Sequence, residues 1–208
     1  MNGSETIYAL AAGPQSFGYT PSPVVGGYYT IPAVPKPTIA PSGGTYTYGT
    51  AATITLSDTM SGSTIYYTKD GTTPTTSSTL YTAPIPVTTA TIKAIAANNG
   101  YASSAVAGPA YFTVKLAAPT FTTANGGQYP GTYTGSATVV LTDSDATATI
   151  CYTTNGTTPT ALTAGTCSNG TAASGSITLN PGVYTVKAIA TASGYTNSIV
   201  TNGTYTVR

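Results

Sequence analysis

The sequence predicts an all-β chain of tandem β-sandwich repeats, and three observations carry that expectation. The first is composition: of 208 residues, 46 are Thr and 17 Tyr, with 23 Gly and 15 Pro. Such residues suit pleated strands and turns and disfavour helix. The second is a pattern of short alternating runs between turn residues. Thr53-Ile54-Thr55-Leu56 places Ile54 and Leu56 on one face, and Ile65 and Tyr67 share a face in the next run. The third is internal repetition in a chain too long for one β module of about 100 residues.

The repeats set the order of elements. Ile65-Tyr66-Tyr67-Thr68-Lys69-Asp70-Gly71-Thr72-Thr73-Pro74-Thr75 returns 85 positions later as Ile150-Cys151-Tyr152-Thr153-Thr154-Asn155-Gly156-Thr157-Thr158-Pro159-Thr160. Thr91-Ile92-Lys93-Ala94-Ile95-Ala96 returns 94 positions later as Thr185-Val186-Lys187-Ala188-Ile189-Ala190. The nine-residue difference requires an insertion, and the inserted stretch contains Cys167. Upstream, Pro37-Thr38-Ile39 matches Pro119-Thr120-Phe121, and Gly43-Gly44-Thr45-Tyr46 is matched with Gly126-Gly127-Gln128-Tyr129. Asp70-Gly71 and Asn155-Gly156 are turn signals, since both pairs accept positive φ at low cost, and Pro74 and Pro159 restrict the chain after each turn.

A third copy is partial. Thr6-Ile7-Tyr8-Ala9-Leu10-Ala11 lines up with Thr91 to Ala96, and Gly18-Tyr19 with Gly100-Tyr101 and Gly194-Tyr195. Tyr28-Tyr29-Thr30-Ile31 lines up with Tyr111-Phe112-Thr113-Val114. These are the closing strands of a repeat whose opening strands are not in the sequence, so the chain is expected to begin in mid-domain. The expected domains are residues 1–36, an incomplete repeat with a linker, 37–116, a first full repeat, and 117–208, a second full repeat with the insertion.

Charge removes several classes of function. Six basic and five acidic residues give a net charge of +1, which leaves no footprint for nucleic acid and no basic segment for an anionic membrane. No run approaches the roughly 20 apolar residues of a membrane span. Met1 to Leu10 carries Glu5 and no basic, apolar run, so an exported form has lost its signal or comes from a longer precursor. A hydrophobic content of 40% argues against a charge-solvated disordered chain. Cys151 and Cys167, in a charge-poor Thr/Ser/Gly/Asn-rich chain, read as a disulfide closing a short loop, the alternative being two free thiols in a cytosolic protein.

The blocks Tyr66 to Thr75 and Thr91 to Ala96, followed by Gly100-Tyr101 and Ser103-Ser104, resemble the immunoglobulin-like module at the C-terminal end of chitobiase and β-hexosaminidase enzymes. The resemblance covers nearly the whole chain as two complete copies and a partial one. It implies tandem immunoglobulin-like β-sandwiches with a partial N-terminal repeat, similar in fold to fibronectin type III domains. It also implies a bacterial secreted or surface protein in which such modules act as spacers or accessories. The second copy departs from the pattern at Cys151, Thr154 and Asn155 and in its insertion, which suggests a local role for the insertion.

The residue inventory argues against catalysis. There is no His, and the acids are Glu5, Asp58, Asp70, Asp143 and Asp145, so general acid–base work lacks a group near neutral pH. Asp143 and Asp145 sit between strands, where Asp commonly makes turns, the alternatives being a glycosidase-like pair or a weak calcium site. Two Cys without His leave a zinc ion short of ligands, and no cofactor motif is present, so no metal, cofactor or catalytic residue is expected. Asn2, Asn155, Asn169 and Asn202 each begin an Asn-Gly-Ser/Thr triplet, which admits N-glycosylation in a suitable host.

One pattern points to a contact surface. Ile92, Ala94 and Ala96 take one face of a strand and leave Lys93 and Ile95 on the other; Val186, Ala188 and Ala190 stand likewise against Lys187 and Ile189, and Ile7, Ala9 and Ala11 against Tyr8 and Leu10. With the small residues inward, Leu10, Ile95 and Ile189 form an outward apolar series, and with Ile7 and Tyr8 they are the candidate inter-subunit contacts. The alternative is that the opposite face is core, or that a loop covers it. By the same rule Cys151 points outward, and its bond to Cys167 would pin the inserted loop to the sheet. The expected function is a non-catalytic extracellular or cell-surface structural or adhesive element, a filament subunit joined head to tail by strand addition at the incomplete repeat. The partner is then self, or neighbouring repeats of a longer chain. The alternative is a spacer or carbohydrate-binding module of a glycan-degrading enzyme or long surface protein, with glycan as partner.

Overall fold

The computed structural model describes residues 5–11, 22–124, 130–163 and 165–208. No helix occurs among them, and none therefore is long and apolar enough to cross a membrane. The N-terminal stretch holds β1 (Glu5–Ala9) and β2 (Val25–Tyr29). Next come β3 (Thr38–Ala40), β4 (Gly44–Thr47), β5 (Thr53–Ser57), β6 (Thr64–Thr68), β7 (Thr79–Leu80), β8 (Ile85–Pro86), β9 (Ala90–Ala97) and β10 (Ala107–Lys115). The same series then recurs with a hairpin inside it: β11 (Thr120–Thr123), β12 (Gly131–Tyr133), β13 (Ala137–Thr142), β14 (Thr149–Thr153), β15 (Thr160–Thr163), β16 (Thr166–Asn169), β17 (Thr171–Ala172), β18 (Ser176–Leu179), β19 (Gly182–Thr191) and β20 (Thr201–Val207).

The sheets repeat as the strands do. A three-stranded sheet β3-β5-β8 and a five-stranded sheet β4-β10-β9-β6-β7 are matched by β11-β13-β18 and β12-β20-β19-β14-β17, while β1-β2 and β15-β16 are two-stranded. The chain is all-β, with tandem immunoglobulin-like β-sandwiches and a partial repeat ahead of them. Packing divides it into two compact units, one of Met1–Ser42, Thr55–Pro84 and Thr91–Ala110, the other of Gly43–Ile54, Ile85–Ala90 and Tyr111–Arg208.

In the second unit the core forms between two sheets. Phe121, Val139, Leu141, Ile177 and Leu179 come from the three-stranded sheet, and Tyr133, Ile150, Val186, Ala188, Tyr205 and Val207 from the five-stranded one. Alternation explains the membership. Ile150 and Tyr152 face the core, so Cys151 between them faces the other way. In the first unit β6 pairs antiparallel with β9, and Ile65, Tyr67, Ile92, Ala94 and Ala96 are buried, as their alternation predicts.

The turn after β6 and its counterpart after β14 are built alike. Asp70 Oδ1 accepts the Thr72 amide at 3.1 Å and the Thr72 hydroxyl at 2.6 Å. Asn155 Oδ1 accepts the corresponding groups of Thr157 at 3.1 and 2.7 Å. Gly71 and Gly156 follow with φ of +79° and +78°, a conformation that side chains resist. A Cβ on Gly71 would also stand 3.0 Å from Thr91 Cγ2.

Two expectations are corrected. Ile95 and Ile189 are each only 5% exposed, so they do not continue an outward apolar series with Leu10. Both faces of these central strands are covered. Beside Ile95 the register places Tyr66, with Leu80 beyond it on β7. Beside Ile189 it places Cys151, whose disulfide draws the β15–β16 hairpin over that face. The hairpin's Gly165 amide donates to Thr191 Oγ1 at 3.3 Å, two residues along the same face as Ile189. The second correction concerns the counterpart of Gly44-Thr45-Tyr46, which is Gly131-Thr132-Tyr133. Both segments pair in parallel with the closing strand of their repeat, and the rings of Tyr46 and Tyr133 meet Phe112 and Tyr205 at 6.2 and 6.1 Å. Residues 126–129 lie outside the described residues.

Candidate functional site

The N-terminal hairpin exposes apolar groups on both of its faces. β1 pairs with β2 from Glu5 opposite Tyr29 to Ala9 opposite Val25, so Ile7 faces Gly27 and Tyr8 faces Gly26. Glycine partners offer no side chain for cross-strand cover. The Tyr8 ring instead lies over the bare backbone of Gly26, where an added Cβ would stand 2.7 Å from Cε1. Ile7 is 54% exposed, Tyr8 69%, Val25 71% and Tyr28 84%, and Leu10 and Val24 are exposed as well. Of the expected contact residues, Ile7, Tyr8 and Leu10 therefore share one exposed hairpin, and Ile95 and Ile189 do not belong with them.

Below the hairpin strands a serine closes the end of the pair. Ser22 Oγ accepts the Ala11 amide at 2.9 Å and donates to Pro23 O at 3.2 Å, while the Ser22 amide donates to Ala11 O at 2.9 Å. The full repeats carry the same three bonds at Ser104 with Ala96 and at Ser198 with Ala190.

After β2 the chain docks on the loop that follows β9. The Val34 amide donates to Ala102 O at 2.9 Å, and the Ala102 amide donates to Pro32 O at 3.0 Å, forming a parallel bridge centred on Ala33 and Ala102. Val34 is buried, whereas neighbouring Tyr101 is 42% exposed. Ile31 and Tyr101, with Asn98, Gly100 and Ser103, border an open cleft of about 600 Å³.

The second unit holds the same bridge with its surroundings filled. The Leu116 amide donates to Thr196 O at 3.0 Å, the Thr196 amide to Val114 O at 2.9 Å, and the bridge is centred on Lys115 and Thr196. β4 lies parallel to β10, from Gly44 beside Phe112 to Thr47 beside Lys115, and the Tyr48 amide then donates to Lys115 O at 2.8 Å. This sets the Tyr48 ring edge-on against Tyr195, with centroids 5.3 Å apart. Leu116 is buried with Ala190 and Ala192 among Tyr48, Ala148 and Tyr195. The Asp145 carboxylate is the main cause that raises the Tyr48 phenol above its ordinary value, with desolvation second.

These sandwiches match a known module. The family model of the chitobiase/β-hexosaminidase C-terminal domain matches residues 41–108 and again 128–202, together more than half of the chain. The chain belongs to this family. Solved structures similar to this family member include fibronectin(III)-like modules of Clostridium thermocellum CbhA, at 16% identity and TM-score 0.28, covering 83% of this chain and 94% of that one. The D00-D0 domain of intimin aligns at 16% identity and TM-score 0.28, covering 80% and 98%. Murine CEACAM1b aligns at 11% identity and TM-score 0.29, covering 85% and 99%. No curated protein matches the sequence.

The second chitobiase-type repeat carries the remaining candidate residues. Cys151 and Cys167 form a disulfide with Cα atoms 5.5 Å apart, an ordinary separation. Asn169 Nδ2 donates to Thr158 O at 2.7 Å, Asn155 caps its turn, Asn202 is exposed on β20, and Asn2 lies outside the described residues. Asp143 Oδ1 accepts the Asp145 amide at 2.9 Å, and Asp145 Oδ1 accepts the amide and hydroxyl of Thr147 at 2.9 and 2.7 Å. Both carboxylates thus hold turns. Among the described residues no three His, Cys, Asp or Glu side chains gather as a metal site. The sequence reading missed Tyr48 and the exposed place beside Tyr101. The recurring Gly-Tyr pair was the available signal, because it marks the loop on which each linker docks.

Proposed function

We propose that the chain is a non-catalytic, extracellular structural or adhesive element that joins head to tail by strand addition at the β1–β2 hairpin. The observation that carries this reading is the hairpin itself. Its sheet has two strands, β2 has no second neighbour among the described residues, and Ile7, Tyr8, Val25 and Tyr28 are all more than half exposed. A two-stranded sheet is marginal in water, and a bare edge is a template for another strand. Adding one satisfies the edge, and because unlike surfaces meet, the contact propagates. The disulfide supports an oxidising compartment. Absence of His, together with the turn roles of Asp58, Asp70, Asp143 and Asp145, supports a non-catalytic role.

Light scattering behind size exclusion, with electron microscopy of the full chain, tests this reading. Expected are rods or oligomers that grow with concentration and are lost in the double variant Val25→Lys with Tyr28→Glu. A chain that stays monomeric up to millimolar concentration overturns it. A second reading, glycan contact, draws on Tyr28 and Tyr111, which occupy matching positions and are both exposed. Recovery of the chain on a polysaccharide matrix, lost on Tyr28→Ser with Tyr111→Ser, would favour that reading.

A further inference from the structure

We infer that the edge of β2 and the Tyr101 loop form a slot for one kind of partner: an extended segment of the β4 pattern, Gly-Thr-Tyr-Thr-Tyr-Gly, lying parallel to β2 with its second tyrosine against Tyr101. This rests on the strand-addition reading above and specifies where a strand goes and what it carries; β4 itself stays paired with β10, so the occupant is an unpaired run of the same pattern and not the β4 of a folded copy.

Two places in the molecule carry the same bridge, reached through one residue more between Tyr28 and Ala33 than between Tyr111 and Lys115. In the second unit, the bridge between Lys115 and Thr196 uses Val114 O and the Leu116 amide, so the Lys115 carbonyl points to the other edge. There it accepts the Tyr48 amide, and Tyr48 packs on Tyr195. In the first unit, the bridge between Ala33 and Ala102 uses Pro32 O and the Val34 amide, which turns the Ala33 carbonyl to the corresponding edge. Val34 is buried as Leu116 is. What differs is the outer position. No strand lies along the second edge of β2 among the described residues, Tyr101 is exposed, and the open cleft beside it is bordered by Ile31 and Ser103.

The geometry therefore assigns Ala33 O as the acceptor for the segment's second tyrosine amide, and the Tyr101 ring as the wall for that side chain. The pattern suits the place. Gly44 and the alternating threonines keep one side of β4 slim, while Tyr46 and Tyr48 supply apolar surface at alternate positions. An edge-to-face tyrosine pair adds about 0.5–1.5 kcal/mol beyond area burial in measured cases, which discriminates an aromatic end from a polar one by about two- to twelvefold.

A tethered segment tests the slot. Glu5 stands opposite Tyr29, so β1 starts at the end of β2 that leads to Tyr101. A copy of the Ser42–Thr50 sequence, joined ahead of Met1 by ten Gly and Ser residues, reaches the slot at high effective concentration. The chain has no Trp, so Tyr101→Trp gives a single reporter. Expected are a blue-shifted emission and amide exchange along β2 slowed about tenfold, both much reduced when the segment's second tyrosine is serine. Because exchange is read without the reporter, the same measurement in the unsubstituted chain stands if Tyr101→Trp misfolds. If neither emission nor exchange responds, the slot is overturned. Wild-type assembly without a response leaves strand addition standing and removes this slot, whereas a response without assembly supports the slot and removes self-association.

Discussion

The Ser22 hydroxyl accepts the amide of Ala11 at 2.9 Å, the bond that Ser104 makes to Ala96 at 2.8 Å and Ser198 makes to Ala190 at 2.9 Å. One side chain thus ends each pair of closing strands by taking an amide that the partner strand no longer reaches. In the full repeats these serines are buried, so Ser198→Ala leaves the Ala190 amide without its acceptor and should destabilise by about 1–3 kcal/mol. Ser22→Ala acts where water substitutes, and its effect should be within about 0.5 kcal/mol. Urea denaturation of each variant decides this, and equal effects at both sites would count against the burial argument.

Much of this was legible in the chain and some was not. Alternation placed Ile54, Leu56, Ile65 and Tyr67 inside, and the Asp70-Gly71 and Asn155-Gly156 pairs marked turns that are built alike. A facing rule with one core side failed at Ile95 and Ile189, which are buried on the second face, Ile95 beside Tyr66 in the register of one repeat and Ile189 at the disulfide-pinned hairpin of the other. Neither neighbour is written in the strand's own periodicity, since both come from elsewhere in the chain. The match of Gly126 to Tyr129 with Gly43 to Tyr46 failed for a related reason. Short Gly/Tyr segments recur, and only the pairing of Gly131–Tyr133 with β20 distinguishes the right one. The place beside Tyr101 needed three dimensions, because its edge, linker and loop are distant in sequence.

Removing the disulfide should loosen the second repeat. The loop between Cys151 and Cys167 spans 16 positions, for which the chain-entropy model gives about 3 kcal/mol. Cys151→Ala with Cys167→Ala should therefore lower stability by about 2–4 kcal/mol and free the β15–β16 hairpin to leave Ile189. Urea titration with hydrogen exchange at Ile189 checks both parts. A loss under about 1 kcal/mol with Ile189 still protected would mean that the hairpin stays without its covalent tie.

Asp70 should give the first repeat an acid dependence that the second lacks at Asn155. The Thr72 hydroxyl is the main cause that lowers the Asp70 carboxyl, followed by the Thr72 amide. A lowered value in the fold means stability present above the ordinary carboxyl value of 3.8 and lost as pH falls through the lower folded value. Asp70→Asn keeps the two accepted bonds, as Asn155 shows, and removes the charge. The variant should be slightly less stable than wild type near neutrality, and the gap should shrink as pH falls below 3.8. Thermal melts across that range test the sign, and a gap that widens toward acid would refute the assignment.

Tyr48 carries the opposite dependence at the alkaline end. Its phenol is raised above the ordinary value of 10.0 chiefly by the Asp145 charge, then by desolvation and by Tyr195. The folded state therefore favours the neutral phenol, and stability falls as pH rises past the ordinary value toward the raised one. Asp145→Asn retains an oxygen for the Thr147 amide and hydroxyl, so the turn should survive while the main cause of the shift disappears. Carbon-13 labelling of tyrosine Cζ reads the titration directly. The Tyr48 midpoint should move down toward 10.0 in the variant. Tyr48→Phe should keep the edge-to-face contact with Tyr195 and abolish the corresponding part of the alkaline loss. If the Tyr48 midpoint does not respond to Asp145→Asn, the carboxylate is not what holds the phenol neutral, and the pairing of strand end, loop and turn at this place needs another electrostatic account.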